Sequence, residues 1–247
     1  MNFALNYKIQ KAVRGLNHSS REKREKSISN LVCFGDASLN FLLKALSGSD
    51  YIQGANAATA LGKIGNPIAV EYLIKRMCRN ECVMDHLVQK NAAAALGMIR
   101  DTRAVYPLIA LFAHEDSEVR ESALNALVLL GNDSIDALIN SLQHQTTYVR
   151  SFSAMALGRI KHPRSVPALI TALEDKLRYD YFIVRKNAAR ALGEIGSADA
   201  LKPLISALND AYEYVREAAA YALYAITGES FGSDCEAWKK WSEQVLS

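Results

Sequence analysis

The chain has 247 residues, 50% of them hydrophobic and 22% charged, an ordinary globular composition with enough apolar material for a sizeable core. Twenty-nine Lys and Arg against 26 Asp and Glu leave a formal charge of +3, which excludes the strong basic excess of a dedicated nucleic-acid binder but leaves room for a local stripe. The opening MNFALNYKIQKAVRGL is too interrupted by Asn, Lys and Gln for a signal peptide, and no run of about 18 apolar residues follows. A cytoplasmic, non-membrane protein is therefore expected, and Cys33, Cys78, Cys82 and Cys235 read as reduced thiols rather than a disulfide framework.

One helical phrase recurs along the chain. It is KREKSISNLVCFG around Leu31, QGANAATALGKIG around Leu61, VQKNAAAALGMIR around Leu96 and VRESALNALVLLG around Leu127. It continues as VRSFSAMALGRIK around Leu157, VRKNAARALGEIG around Leu192 and VREAAAYALYAIT around Leu223. The leucines are separated by 30, 35, 31, 30, 35 and 31 residues, a period that marks a stacked-repeat protein. Between copies lies a second phrase, AVYPLIALF at 104–112, SVPALITAL at 165–173 and ALKPLISAL at 200–208. Its apolar residues fall at helical spacing, and Pro107, Pro167 and Pro203 stand near the start, where the first-turn N–H groups have no helical partner. Each repeat is thus two helices.

In the second helix of residues 184–196 the pattern predicts Val184, Ala188, Ala189, Ala191, Leu192 and Ile195 as the buried stripe, with alanines allowing close approach of neighbouring helices. Gly65, Gly131 and Gly196 stand where a left-handed residue ends the helix. Gly62, Gly97, Gly158 and Gly193 lie a turn earlier, inside it. A helical glycine costs about 1 kcal/mol against alanine, so contact with the next repeat's backbone is expected there.

The combined pattern AVxPLIxAL … VRxxAAxALGxIG resembles the HEAT-like repeats first associated with phycobilisome lyases, over roughly residues 19 to 227. The ending ITGESFGSDCEAWKKW is similar to the TG-x-x-FG … W-x-x-W tail of many prokaryotic proteins of this type. That resemblance implies an all-α, right-handed α-solenoid of about seven HEAT-like helix pairs with a C-terminal capping helix carrying Trp238 and Trp241. One solenoid over 1–247 is expected, with a degraded N-terminal repeat at 1–46, regular repeats at 47–227 and the cap at 228–247.

Several recurring residues are candidate sites. Arg24, Arg120, Arg150, Arg185 and Arg216 occupy one slot near the start of the second helices. They read either as a basic ladder for phosphates or acidic peptides, or as a structural device reaching a preceding carboxylate (Asp116, Asp180, Asp210) or carbonyl; the regularity favours the second. Asn56, Asn91 and Asn187 share another slot and are expected to tie one repeat's loop to the next. The two longer repeats carry extra residues at 79–89 and 176–185, and in the second Arg178, Tyr179 and Tyr181 form an interface-like cluster, with Phe182 either joining it or entering the core. Cys78, Cys82 and His86 have zinc-compatible atoms at four-residue spacing, but the stretch contains the expected inter-helix loop and no fourth ligand is evident, so no metal is assigned. The histidines read as solvated turn residues, and no catalytic motif occurs.

The second helices are expected to line a concave face. Their outward slots give Lys63, Met98, Leu129, Phe152, Met155, Arg159, Arg190 and Tyr221, an apolar stripe with a charged rim; the competing account buries the apolar members against neighbouring helices. The leading reading is a non-enzymatic scaffold without a cofactor that holds a protein or peptide there, with Lys63, Arg159 and Arg190 orienting an acidic partner. The resemblance implies an alternative, a lyase or chaperone acting on phycobiliproteins, for which an open-chain bilin with its carboxylates is a ligand. Nucleic-acid binding is the third reading, disfavoured by the charge.

Overall fold

The computed structural model describes residues 3–79, 85–174 and 182–245. It is helical, with no strand among the described residues, and the chain divides into two compact units, Met1–Leu130 and Gly131–Ser247. The first contains α1 (Phe3–Arg14), α2 (Arg21–Phe34), α3 (Leu39–Leu46), α4 (Tyr51–Ile64), α5 (Ala69–Met77), α6 (Asp85–Ile99), α7 (Val105–Ala110) and α8 (Ser117–Leu130). The second contains α9 (Ile135–Ser141), α10 (Thr147–Ile160), α11 (Val166–Glu174), α12 (Phe182–Ile195), α13 (Leu201–Ala207), α14 (Glu213–Thr227) and α15 (Cys235–Val245). The helices pair in order from α1–α2 to α13–α14, which makes the expected seven pairs, and α15 follows them.

Within each unit the second helices stack on one another: α4 on α6 and α6 on α8 in the first, α10 on α12 and α12 on α14 in the second. Small residues make this possible. A Cβ on Gly62 would stand 2.7 Å from Ala95 Cα, on Gly97 2.6 Å from Ala126 Cα, on Gly158 2.7 Å from Ala191 Cα, and on Gly193 2.8 Å from Ala222 Cα. These distances are inside van der Waals contact, so the glycines are required by the next helix rather than by their own.

The expected stripe of α12 is buried at Val184, Ala188, Ala189, Ala191 and Leu192, but Ile195 is half-buried because it lies in the last turn. Pro107, Pro167 and Pro203 all fall in the first turn of α7, α11 and α13. Gly65 and Gly196 close α4 and α12 at φ of 75° and 78°, and Gly131, at 60°, follows α8. Arg100 and Lys161 adopt the same left-handed conformation at 58° and 59° without being glycine, a cost for a residue with a Cβ. The stretch Ser117–Ser141 contains an 18-residue window of mean hydropathy 1.2, but the chain turns at Gly131 and half of that window is buried, as in core helices.

Trp238 of α15 is fully buried and donates its indole N–H to Gly232 O at 2.9 Å. Phe231 and Trp241 meet it edge-on, with ring centroids 5.0 and 5.7 Å away, while Cys235 accepts from Asn209 Nδ2 and faces Ile205 O. The tail thus covers α13, as a terminal cap must.

Candidate functional site

The recurring arginine is a turn-closing device. Arg24 donates to the carbonyls of His18 and Ser19 at 2.7 and 2.9 Å, Arg120 to those of His114 and Glu115 at 2.6 and 2.7 Å, and Arg216 to those of Asp210 and Ala211 at 2.9 and 3.2 Å. Arg150 bonds His144 O and, at 2.8 Å, Gln145 O. Carbonyls, not the preceding carboxylates, are the partners. The Asp116 carboxylate is already engaged, accepting Glu118 N–H at 2.8 Å and Val119 N–H at 3.0 Å. These bonds, Val119's foremost, hold it below the usual carboxylate range.

The histidines of these turns are structural as well. His18, His114 and His144 each accept, through Nδ1, the backbone N–H two residues on at 3.0 Å. They recur six residues before Arg24, Arg120 and Arg150; the shared slot of His114 and His144 was visible in the sequence, but the expected solvated ring is instead a turn acceptor. In the last repeat Asp210 fills the same position and accepts Tyr212 N–H at 2.9 Å.

Arg185 reaches into the next repeat. It makes a buried two-pronged pair with Asp210 of the following turn, Nε to Oδ2 at 2.8 Å and Nη2 to Oδ1 at 3.0 Å. Asp180, its expected partner, lies outside the described residues. The other long repeat also holds a buried pair, Arg76 Nη2 with Asp85 Oδ1 at 2.8 Å, and Gln89, in the arginine slot, donates to Arg79 O at 2.8 Å.

The asparagine slot is corrected in detail: it ties helix to helix, except at Asn56, which reaches the turn after α1. Asn56 donates to Leu16 O at 2.7 Å, Asn91 to Ala55 O at 3.1 Å, and Asn187 to Ser151 Oγ at 2.7 Å.

Of the outward-facing candidates, Lys63, Met98 and Leu129 belong to the first unit. Met98 and Leu129 are 47% and 43% exposed. Their tips lie over the helical glycines, 3.3 Å from where Cβ atoms on Gly62 and Gly97 would be. Each is therefore partly covered and partly free, which divides the difference between the two accounts of the stripe.

The second unit brings its candidates together. Arg190 on α12 and Tyr221 on α14 line a cavity of about 350 Å³ with Lys186, Glu194, Tyr214 and Glu217. Met155 and Arg159 of α10 line a smaller one, about 50 Å³, which shares Arg190 and Glu194 with the first. Phe152 is half-buried on α10. The result is a groove across α10, α12 and α14 with three cations, two carboxylates and two tyrosines. Lys186 Nζ lies 5.8 Å from the Tyr214 ring centroid, an attractive cation–π distance. Sequence reading missed Lys186, Tyr214 and Glu217, because Lys186 and Glu217 stand two residues after the recurring valine and Tyr214 one before it, outside the slots counted as outward.

Phe182 is half-buried and stacks on Tyr212 and Tyr214 at 5.0 and 6.2 Å. Arg178, Tyr179 and Tyr181, like Cys82, lie outside the described residues. Cys78 follows α5 and is exposed, His86 sits in the first turn of α6, and no group of three potential metal ligands occurs among the described residues.

Comparison with known proteins agrees with the repeat. The chain is 26% identical over 149 residues to the bilin biosynthesis protein PecE of Nostoc sp. (strain PCC 7120), covering 47% of this chain and 58% of that protein. It is 29% identical over 149 residues to PecE of Mastigocladus laminosus, covering 47% and 54%. The match therefore spans a little over half the length of these relatives. Among solved structures, the complex of CpcE and CpcF of phycocyanin lyase from Nostoc sp. PCC7120 aligns with 24% identity, 96% and 94% coverage and a TM-score of 0.43. Human deoxyhypusine hydroxylase aligns with 19% identity, 92% and 98% coverage and a TM-score of 0.39. The profile for the PBS lyase HEAT-like repeat matches residues 55–77, and that for HEAT repeats matches 83–147 and 135–224, more than half of the chain: the chain belongs to the HEAT-repeat family.

Proposed function

We propose that this chain is a lyase-type subunit that holds an open-chain tetrapyrrole for a partner protein, and that the groove across α10, α12 and α14 is the holding surface. The order of the two leading sequence readings is thereby reversed: the bilin reading stands ahead of a general peptide scaffold, because the curated relatives matched in sequence are bilin biosynthesis proteins. The observation that carries the assignment to this groove is its chemistry. A bilin is a long conjugated body with carboxylates. Tyr214 and Tyr221 offer ring faces, Tyr221 being 64% exposed, and Lys186, Arg190 and Arg159 offer cations within one groove. Arg is suited to two-pronged carboxylate binding and Lys to a point contact. Glu194 and Glu217 leave the groove only weakly positive, which favours a ligand with few charges over a polyanion. The chain's part is to bind and orient, and no bond-making step is assigned to its residues.

The test uses phycocyanobilin as probe. Mixed with the wild-type chain it acquires induced circular dichroism in its visible band; Arg190→Gln with Tyr221→Ala, two exposed positions, abolishes the signal while far-ultraviolet dichroism stays unchanged. A free-pigment spectrum with the wild type overturns the reading and returns the groove to a protein or peptide partner.

A further inference from the structure

The first helix pair carries a surface of another kind. Residues 1–34 contain seven Lys and Arg but only two acidic residues, Glu22 and Glu25. The remainder of the chain is therefore net acidic, and the whole positive excess is concentrated here. Lys8 and Lys11 are one turn apart on α1, and Lys23 and Lys26 one turn apart on α2, so each pair shares a helix face. The four surround a cleft of about 560 Å³ between the two helices.

No carboxylate lines this cleft. Glu25 is taken by Arg21, with Nε and Oε1 2.8 Å apart, and none of the four lysines makes an ion pair among the described residues. Like charges around one concavity repel, and only water and counterions relieve them. At the base, a Cβ on Gly15 would stand 2.2 Å from Ser27 Oγ, so glycine lets the turn after α1 close against α2 and define the cleft. Phe34 supplies an apolar end. His18 also lines it; its Nδ1 accepts Ser20 N–H at 3.0 Å, which leaves Nε2 as the ring's donor.

The geometry points to a binding site for a small polyanion, a molecule with two or more phosphate or carboxylate groups that Lys8, Lys11, Lys23 and Lys26 receive, with any apolar part against Phe34. A bounded cleft fits a compact ligand, whereas a nucleic-acid strand needs cations strung along a track. The site lies in the first unit and makes no use of the tetrapyrrole groove, so each stands or falls on its own test.

Isothermal titration of the full chain with pyrophosphate and, separately, with citrate tests it and tells phosphate from carboxylate. One saturable event per chain is expected with at least one of them. Lys11→Gln weakens it roughly tenfold, as loss of one charge-assisted contact does, and Lys11→Gln/Lys23→Gln weakens it further. Lys8→Gln/Lys26→Gln repeats the test from the other two positions, and dichroism checks that each variant is folded. Lys239→Gln/Lys240→Gln removes equal charge from α15 and leaves binding unchanged. Absence of binding by both anions, equal loss in the α15 variant, or binding only to a single-stranded oligonucleotide overturns the proposal.

Discussion

The turn between α7 and α8 and the turn that Arg185 reaches use the same arginine slot for different ends. In the first, Arg120 folds back on two carbonyls of its own turn, His114 O and Glu115 O, and the contact is partly open to solvent. In the second, Arg185 grips Asp210, the residue that organises the turn before α14, with both side chains almost wholly buried. An arginine closing its own loop can be lost with local consequences; one that joins two repeats carries a buried charge whose removal strands its partner. What lies within reach of the guanidinium, not the slot, decides its energetic weight.

The variant expected to separate the two most strongly is Asp210→Ala. It leaves Arg185 buried without its counter-charge, and breaking such a pair costs about 3–5 kcal/mol, seen as a lowered chemical-denaturation midpoint. A loss under ~1 kcal/mol would mean the pair is no more valuable than a surface bridge. Next, Gly97→Ala puts a methyl 2.6 Å from Ala126 Cα. Overpacking of this kind costs roughly 1–3 kcal/mol even though alanine is the better helix former; a neutral result in thermal melting would show that α6 and α8 separate freely. Arg120→Ala should follow at about 1–2 kcal/mol, with two carbonyls returned to water, and a loss equal to that of Asp210→Ala would erase the distinction between the two turns.

Acid sharpens the comparison at Asp116, which caps α8. Its pKa is lowered in the folded chain by the Val119 and Glu118 N–H groups, so the unfolded chain binds the proton more readily. The cap's contribution is present above the ordinary aspartate pKa and fades as pH falls through the lowered folded value. Asp116→Asn, also a good cap, should flatten that part of the stability profile between about pH 5 and pH 2; an unchanged profile would assign the acid response to other carboxylates. The smallest effect is a gain: Lys161→Gly relieves the left-handed residue at φ of 59° that ends α10, worth up to ~1 kcal/mol and readable as a shift of a few degrees in Tm.

The repeat was legible in the residues. Helical spacing, Pro107, Pro167 and Pro203 at helix starts and Gly65 and Gly196 at helix ends are local signals, and they placed seven helix pairs and the tryptophan cap. The helical glycines were legible too, because their cost in a helix demands an outside reason, and the close approach of Ala95, Ala126, Ala191 and Ala222 supplies it. Part of the groove was visible at Met155, Arg159, Arg190 and Tyr221. Lys186, Tyr214 and Glu217 were not, because which flank of α12 and α14 stays open depends on the angle at which those helices pack.

The sequence by itself determined the alternation of helices and the small residues at which they touch, since both follow from periodicity and from the absence of a side chain at fixed register. Only the tertiary structure decided that Arg185 pairs forward with Asp210, and that four lysines from two helices face one cleft. Those pairings join residues whose distance is set by how helices cross and how turns close, and a one-dimensional pattern carries no measure of either.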